Sequence, residues 1–256
     1  MSHPIFALWS HPRSMSTATE RIMRERGDLA CEHEPFMYDY YVHRQVKRMP
    51  HFDVEPGRPL SFADIVAHLI DEAESGPVFF KDMAYYVVPQ IFARPDLARR
   101  FTGIFLIRDP RRSIVSYAKL DPEFSSEEVG LEAEWRLADW VMAETGTRPL
   151  VVEAEAIAAD PKATIGRLWQ RLGLAYEEKA FDWQPANVPK DWQQVAAWHG
   201  DASSSTGIRR SAGEGDPEAA FSEAAAARPE LRQFLAHHQP FYERLRAFSI
   251  TGGDRA

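Results

Sequence analysis

The chain of 256 residues is long enough for one α/β domain with elaborations, or at most two small domains, and its 45% hydrophobic content argues against wholesale disorder. Its net charge of −8 gives no support to a general nucleic-acid binder, which needs a basic face. Cys31 is the single cysteine, which excludes an intrachain disulfide and a cysteine-based zinc cluster. Because no apolar run approaches 18 residues and no secretory signal pattern is present, we expect a cytoplasmic protein without membrane contact.

The chain begins with the pattern of a strand, a loop and a helix. Ile5–Trp9 is a short apolar run of the length of a buried strand, and Ser10–Ser14 has the composition of a turn. Apolar residues at near-helical spacing follow from Met15 onwards. Such a unit can hold phosphate, because the loop N–H groups and the positive end of the helix dipole point at the anion. The usual purine-triphosphate loop, GxxxxGK[ST], is absent.

Strand and helix patterns alternate along the rest of the chain. Further strands are predicted at Leu29–Phe36, from Val78 to about Lys81-Asp82, at Phe101–Ile107 and at Pro149–Val152. Helices are predicted at Ser61–Glu74, Arg111–Leu120, Ser125–Thr145, Pro161–Leu172, Glu218–Ala227 and Pro229–Ala247, with an irregular or partly helical excursion at Met37–Pro59. This alternation predicts a single α/β domain over residues 1–256, with a central parallel sheet of about five strands flanked by helices. The Ser- and Gly-rich residues 197–217 are predicted to form a lid or loop before the closing helices, at 218–248.

Charged side chains stand where the predicted strands end. They are Arg13, Glu34, Lys81 and Arg108. Ligands of parallel sheets bind beyond the carboxyl ends of the strands, so these residues are functional candidates. Ser14, Ser16 and Thr17 add donors to the loop around Arg13, and Ser116 lies eight residues after Arg108, two turns into the next helix. Arg108 and Ser116 can therefore reach one phosphate, unless Arg108 pairs with a nearby carboxylate instead.

These motifs resemble those of the sulfotransferases that use 3′-phosphoadenosine 5′-phosphosulfate (PAPS). The 5′-phosphosulfate loop of that family has the form P-[KR]-S-G-[ST]-[ST], which Pro12-Arg13-Ser14-Met15-Ser16-Thr17 matches except at Met15. The 3′-phosphate motif of the family is matched by Arg108 and Ser116 within RDPRRSIVSY, and Arg209-Arg210 resembles its C-terminal basic loop. The resemblance implies a P-loop NTPase-like sulfotransferase fold, with PAPS as co-substrate and no metal.

The resemblance also implies roles for the residues at the strand ends. Arg13 and Lys81 are the candidates to stabilise charge on the leaving oxygen. Many members place a His base in a K-T-H sequence, but this chain has Lys81-Asp82-Met83. Some bacterial members use a Glu near the end of the second strand instead, which favours Glu34, with His33 and Asp82 as alternatives. An aromatic group after two strand ends is a candidate lining for the acceptor pocket: Phe36, Tyr38, Tyr40, Tyr41, Tyr85 and Tyr86.

The predicted function is sulfuryl transfer from PAPS to a hydroxyl or amine of a small-molecule acceptor, with no nucleic-acid partner. A homodimer is compatible with the sequence. Two other functions stay open: a catalytically silent nucleotide-binding module of the same fold, and a small-molecule kinase with a degenerate phosphate loop. The missing His and the altered loop Gly favour the former, and the absence of an acidic strand end to hold Mg²⁺ counts against the latter.

Overall fold

Five strands form one parallel sheet at the centre of the computed structural model, which describes residues 2–47, 54–184, 192, 206–208 and 215–251. The strands are β1 (Ile5–Ser10), β2 (Ala30–His33), β3 (Val78–Met83), β4 (Phe101–Ile107) and β5 (Leu150–Glu153). Every neighbouring pair is parallel, and the strand order is β2-β3-β1-β4-β5. The predicted α/β class with a five-stranded parallel sheet is confirmed, and β1 lies at its centre.

Ten α-helices lie within the described residues. They are α1 (Ser16–Glu25), α2 (Phe62–Glu72), α3 (Ala84–Val87), α4 (Asp96–Arg100), α5 (Pro110–Leu120), α6 (Leu131–Thr145), α7 (Ala154–Ala159), α8 (Pro161–Leu172), α9 (Pro217–Ala227) and α10 (Glu230–Arg246). Ser61 caps α2, because its Oγ accepts the backbone N–H of Asp64 at 3.2 Å. Part of the predicted excursion after β2 forms a π-helical segment, Tyr38–His43.

Both faces of the sheet are buried. The side chains of Ile5, Ala7 and Trp9 on β1 enter an apolar cluster with residues of α2 to α6, α9 and α10. Phe6 and Leu8 enter a second cluster with residues of α1, α7 and α8. Alternate residues of β1 thus face opposite helix layers, which explains why the strand reads as an uninterrupted apolar run in the sequence.

The ends of β2 and β3 differ from those predicted from the sequence. β2 ends at His33 rather than Phe36, because Glu34 has φ 41°, which is incompatible with an extended chain. β3 continues through Lys81 and Asp82 to Met83, since β1 pairs with it up to Ser10 opposite Met83. Both changes place polar side chains at the carboxyl edge of the sheet.

The helix predicted over Ser125–Thr145 is interrupted. A short 3₁₀ segment covers Glu127–Val129, Gly130 has φ 81°, and α6 starts only at Leu131. Gly suits this φ, and a Cβ on Gly130 would lie 2.9 Å from Cβ of His11. The chain therefore passes so close to the loop after β1 that a side chain does not fit at this position.

The predicted loop at 197–217 lies largely outside the described residues, and so does Arg209-Arg210. None of the helices in the described part of the chain has the length and apolar character needed to cross a membrane.

Candidate active site

The loop between β1 and α1 holds two non-glycine residues in the left-handed region. Arg13 has φ 65° and Met15 has φ 68°, a conformation that costs an L-amino acid about 1–2 kcal/mol. Met15 occupies the loop position that the sequence motif usually fills with Gly, and it adopts the conformation for which Gly is suited. The loop therefore keeps its shape at a conformational cost, as binding loops often do.

The N-terminus of α1 has features that suit an anion. The first turn of α1 contains no acidic residue, and the residue before the helix, Met15, makes no side-chain cap. Ser14 is fully buried beside it, and its Oγ has no hydrogen-bond partner among the described residues. Buried hydroxyls rarely stay without a partner, so this oxygen is a fitting donor to a bound phosphate. Ser16, which is buried, and Thr17, which is half-buried, add two more hydroxyls at this end of the helix.

The two predicted phosphate motifs meet in the structure. Arg13 Nε donates to Ser116 Oγ at 2.9 Å, and an N–H of the Arg108 guanidinium donates to the backbone carbonyl of Arg13 at 2.9 Å. Both arginines are half-buried, and they approach from the ends of neighbouring strands, β1 and β4. The structure thus brings Arg13 together with Ser116 and with Arg108 at the edge of the sheet where the sequence placed Arg13 and Arg108.

His11 joins the loop to β4, a role that the sequence did not reveal. The backbone N–H of Arg108 donates to Nε2 of His11 at 3.1 Å, so Nε2 carries no proton. Nδ1 lies 3.1 Å from the carbonyl of Pro12 and supplies the proton there. Burial, helped by the charge of Arg108, lowers the pKa of His11 to about 3 although the contact with Pro12 raises it. A neutral His11 therefore fixes the distance between the two motifs at physiological pH.

Glu34 and Lys81 form a buried ion pair at the ends of β2 and β3. Nζ of Lys81 donates to Oε1 of Glu34, and the backbone N–H of Glu34 donates to the Lys81 carbonyl at 2.8 Å. Lys81 has no exposed surface, and Glu34 is 5% exposed. A buried charge needs a partner of opposite sign, and these two groups satisfy each other at the edge where ligands of parallel sheets bind.

His33 and Asp82, the two alternatives to Glu34 as base, lie in different surroundings. His33 Nδ1 lies 2.7 Å from Oε2 of Glu20, and His33 Nε2 lies 3.9 Å from Oε1 of Glu34. Asp82 is fully buried, and its two oxygens accept the backbone N–H groups of Phe36 and Met83 at 2.7 and 2.8 Å. Burial and the nearby Glu34 raise the pKa of Asp82 well above its usual range. Both oxygens of Asp82 thus accept backbone N–H groups, one in the chain after β2 and one at the last residue of β3.

The six aromatic residues after the strand ends lie in two kinds of surroundings. Phe36 packs on Trp9, Phe62 and Phe80 in the core, with ring centroids 5.2 to 6.2 Å apart, and Tyr38 is also buried in the core. Four tyrosines instead form a contiguous cluster with ring centroids 4.7 to 5.6 Å apart: Tyr40, Tyr41, Tyr85 and Tyr86. Burial raises the pKa of Tyr41 and Tyr86, and the negative charge of Glu34 adds to the effect on both.

Comparison with known proteins places these features in a family. The family model described as "Sulfotransferase domain" matches residues 5–248, almost the whole chain. Two solved structures are similar to this chain. The sulfotransferase domain from the curacin biosynthetic pathway is 16% identical, with a TM-score of 0.47 over 89% of this chain and 97% of that one. The sulfotransferase domain from the Synechococcus PCC 7002 olefin synthase is 18% identical, with a TM-score of 0.47 over 89% of this chain and 95% of that one.

A curated relative comes from Arabidopsis thaliana. The protein named branched-chain-amino-acid aminotransferase-like protein 1 is 25% identical over 202 residues, which make up 78% of this chain and 36% of the relative. The chain thus spans about a third of the length of that relative.

Proposed function

The chain belongs to the sulfotransferase-domain family, and from this premise we propose that it transfers a sulfuryl group from PAPS to a hydroxyl or amine of a small-molecule acceptor. The observation that carries the proposal is the joining of the two phosphate motifs by the Arg13–Ser116 and Arg108–Arg13 hydrogen bonds. A donor with phosphates at its 5′ and 3′ ends needs two anion sites in one pocket, and these bonds support such a pair of sites.

The donor would be held by the residues of both motifs. Arg13, Ser14, Ser16 and Thr17, with the backbone of Met15, are proposed to bind the 5′-phosphosulfate at the N-terminus of α1. Arg108 and Ser116 are proposed to bind the 3′-phosphate, together with Arg209 and Arg210, which lie outside the described residues. The buried Ser14 Oγ without a partner and the absence of acidic side chains in the first turn of α1 support this assignment.

The chemistry is an in-line displacement at sulfur. The acceptor oxygen or nitrogen forms a bond to sulfur while the bond from sulfur to the phosphate oxygen breaks, and the acceptor loses one proton. Glu34 is proposed to take that proton, since it lies at the sheet edge with 5% of its surface exposed. Lys81, bound to Glu34, and Arg13 are proposed to stabilise the negative charge that develops on the leaving oxygen.

The acceptor is proposed to bind beside the four-tyrosine cluster. Tyr41 is half-buried, and its hydroxyl lies 3.4 Å from that of Tyr86. Aromatic walls with a few polar tips suit small-molecule ligands, and Glu34 lies close enough to affect both hydroxyls. A flat acceptor with a hydroxyl or amine would place its reacting atom toward Glu34.

A ligand panel followed by an activity assay tests the proposal. Thermal shift is measured with 3′-phosphoadenosine 5′-phosphate (PAP), ADP and ATP–Mg²⁺, and PAP release from PAPS is then followed with phenols, alcohols and amines as acceptors. We expect stabilisation by PAP above the other nucleotides and consumption of PAPS. Binding of PAP without consumption would indicate a silent module, and Mg²⁺-dependent ATP turnover would indicate a kinase.

A further inference from the structure

Behind Glu34 lies a buried carboxylate that the proposed reaction does not use. Glu20, on α1, has no exposed surface, and its two oxygens contact three nitrogen donors. Its Oε2 lies 2.7 Å from Nδ1 of His33, and its Oε1 accepts from Nε of Arg24 at 2.7 Å and from Nε1 of Trp192 at 2.9 Å. The ring of Trp192 lies 6.0 Å from that of His33, so the pair is covered by an aromatic side chain.

These contacts fix the charge of Glu20 and place a proton on Nδ1 of His33. Burial by itself would raise the pKa of Glu20, but His33 and Arg24 outweigh it and hold the pKa well below its usual range. Glu20 is therefore ionised and can only accept, so the proton between the two groups belongs to Nδ1 of His33. In the neutral imidazole, Nε2 then carries the lone pair, and it faces Oε1 of Glu34 at 3.9 Å.

We propose that Glu20 and His33 form a proton relay behind Glu34, with His33 receiving the proton that Glu34 takes from the acceptor. This proposal rests on the proposed function. In the first step the acceptor O–H or N–H bond breaks and the proton goes to Oε1 of Glu34. In the second step the proton moves from Oε1 to Nε2 of His33, which becomes an imidazolium paired with the Glu20 carboxylate. The proton leaves to solvent after the sulfated product departs.

The surrounding charges fit this assignment. Lys81 lies opposite His33 in the register of β2 and β3 and binds Glu34, so protonation of Glu34 would leave the charge of Lys81 without its partner. Moving the proton on to His33 restores the Lys81–Glu34 pair. Arg24 stays on Glu20, and Arg21 lies 5.9 Å above the ring of Trp192. The distance of 3.9 Å is longer than a hydrogen bond, so the transfer requires Glu34 and His33 to approach by about 1 Å.

Glu20 is a positioning residue in this scheme, and Glu20→Gln tests it. The amide keeps the size of the side chain but removes the charge that stabilises the imidazolium. We expect kcat, measured as PAP release from PAPS with a phenol such as 2-naphthol or with water as acceptor, to fall about 100-fold. The acid limb of the kcat–pH profile should move toward lower pH, because the variant removes the negative charge that stabilises the proton received by His33. PAP affinity by calorimetry should not change.

Glu25→Gln is the matched control, since Glu25 lies on the same helix and binds Arg21 at 2.6 Å instead of His33. Glu25→Gln should change neither kcat nor the acid limb of the kcat–pH profile. His33→Gln is the second variant: its amide can still donate to Glu20, and it should lose turnover while binding PAP normally. Normal turnover and an unmoved acid limb in Glu20→Gln would overturn the relay alone. A wild-type protein that consumes no PAPS would overturn the proposed function, and the relay with it.

Discussion

Nε of Arg13 donates a 2.9 Å hydrogen bond to Oγ of Ser116, a residue 103 positions later in the chain. The bond connects the loop after β1 with the second turn of α5. Two further hydrogen bonds join the same segments: the Arg108 guanidinium donates to the Arg13 carbonyl, and the Arg108 backbone N–H donates to His11. These three bonds connect the two sequence motifs into one unit. The proposed donor site depends on this unit.

Arg108→Ala should weaken PAP binding about 10- to 100-fold, because a hydrogen bond to a charged group contributes about 1.5–3 kcal/mol. Calorimetric titration with PAP measures the change. Arg112→Ala is the matched control, since Arg112 lies on the same segment and its guanidinium contacts the Gly215 carbonyl at 3.4 Å. Equal affinities in wild type and Arg108→Ala would remove Arg108 from the donor site.

Met15→Gly should be more stable than Met15→Ala by about 0.5–1 kcal/mol, whereas Gly is usually less stabilising than Ala. Both variants lose the side chain, but only Gly relieves the left-handed backbone, and this relief exceeds the entropic cost of Gly, which is about 0.5–1 kcal/mol. Urea unfolding measures the difference. As a control, Ala18→Gly within α1 should destabilise. An Ala variant as stable as the Gly variant would show that the loop carries no such cost.

Glu34→Gln should keep PAP affinity and lose turnover about 10²- to 10⁴-fold, since general bases contribute that much. The amide oxygen can still accept from Lys81, which limits the structural effect. Glu32→Gln serves as the control on the same strand, where Glu32 binds Arg58 instead. PAP release from PAPS under single-turnover conditions is the measurement, and unchanged rates in Glu34→Gln would assign the base elsewhere.

Gly130→Ala should destabilise the protein and weaken PAP binding, because the new Cβ would meet His11 Cβ at 2.9 Å and push on the phosphate loop. Gly146→Ala isolates the backbone effect: Gly146 has φ 70°, and a Cβ added there would meet no atom within 4 Å. We expect the free energy of unfolding of both variants to fall by about 1 kcal/mol because of the positive φ. Only Gly130→Ala should lose further stability and PAP affinity. Identical behaviour of the two would contradict the close packing.

The stability of Glu134→Gln relative to the wild type should increase as the pH rises. Glu134 is fully buried in α6, neither oxygen has a partner among the described residues, and burial raises its pKa well above the usual 4.5. The folded protein therefore keeps a proton that the unfolded chain releases, so wild-type stability falls with pH above about 4.5, by up to about 1.4 kcal/mol per pH unit. Unfolding free energies from pH 4 to 8 measure the difference, with the exposed Asp139→Asn as control. A pH-independent difference would contradict the buried proton.

Much of the fold, and the residues of the proposed donor site, could be inferred from local patterns. The apolar run of β1, the hydroxyl-rich loop and the helical spacing after it are short-range features, because both faces of a central parallel strand are buried and its loop must carry its own donors. The sequence could also place Arg13 and Arg108 near each other, because parallel strands end at one edge of a sheet. The hydrogen bond from Arg13 to Ser116 came only from the structure.

The tertiary structure alone decided which groups pair behind that edge. The pairing of Glu20 with His33, of Lys81 with Glu34 and of His11 with the Arg108 backbone joins residues 13 to 97 positions apart. Such pairs depend on strand register and on which helix face is buried, and a shift of one residue would point each side chain the other way. The sequence determined that this chain carries the pattern of a phosphate loop at the end of β1. Burial and register determined which carboxylate keeps its charge and which histidine stays neutral.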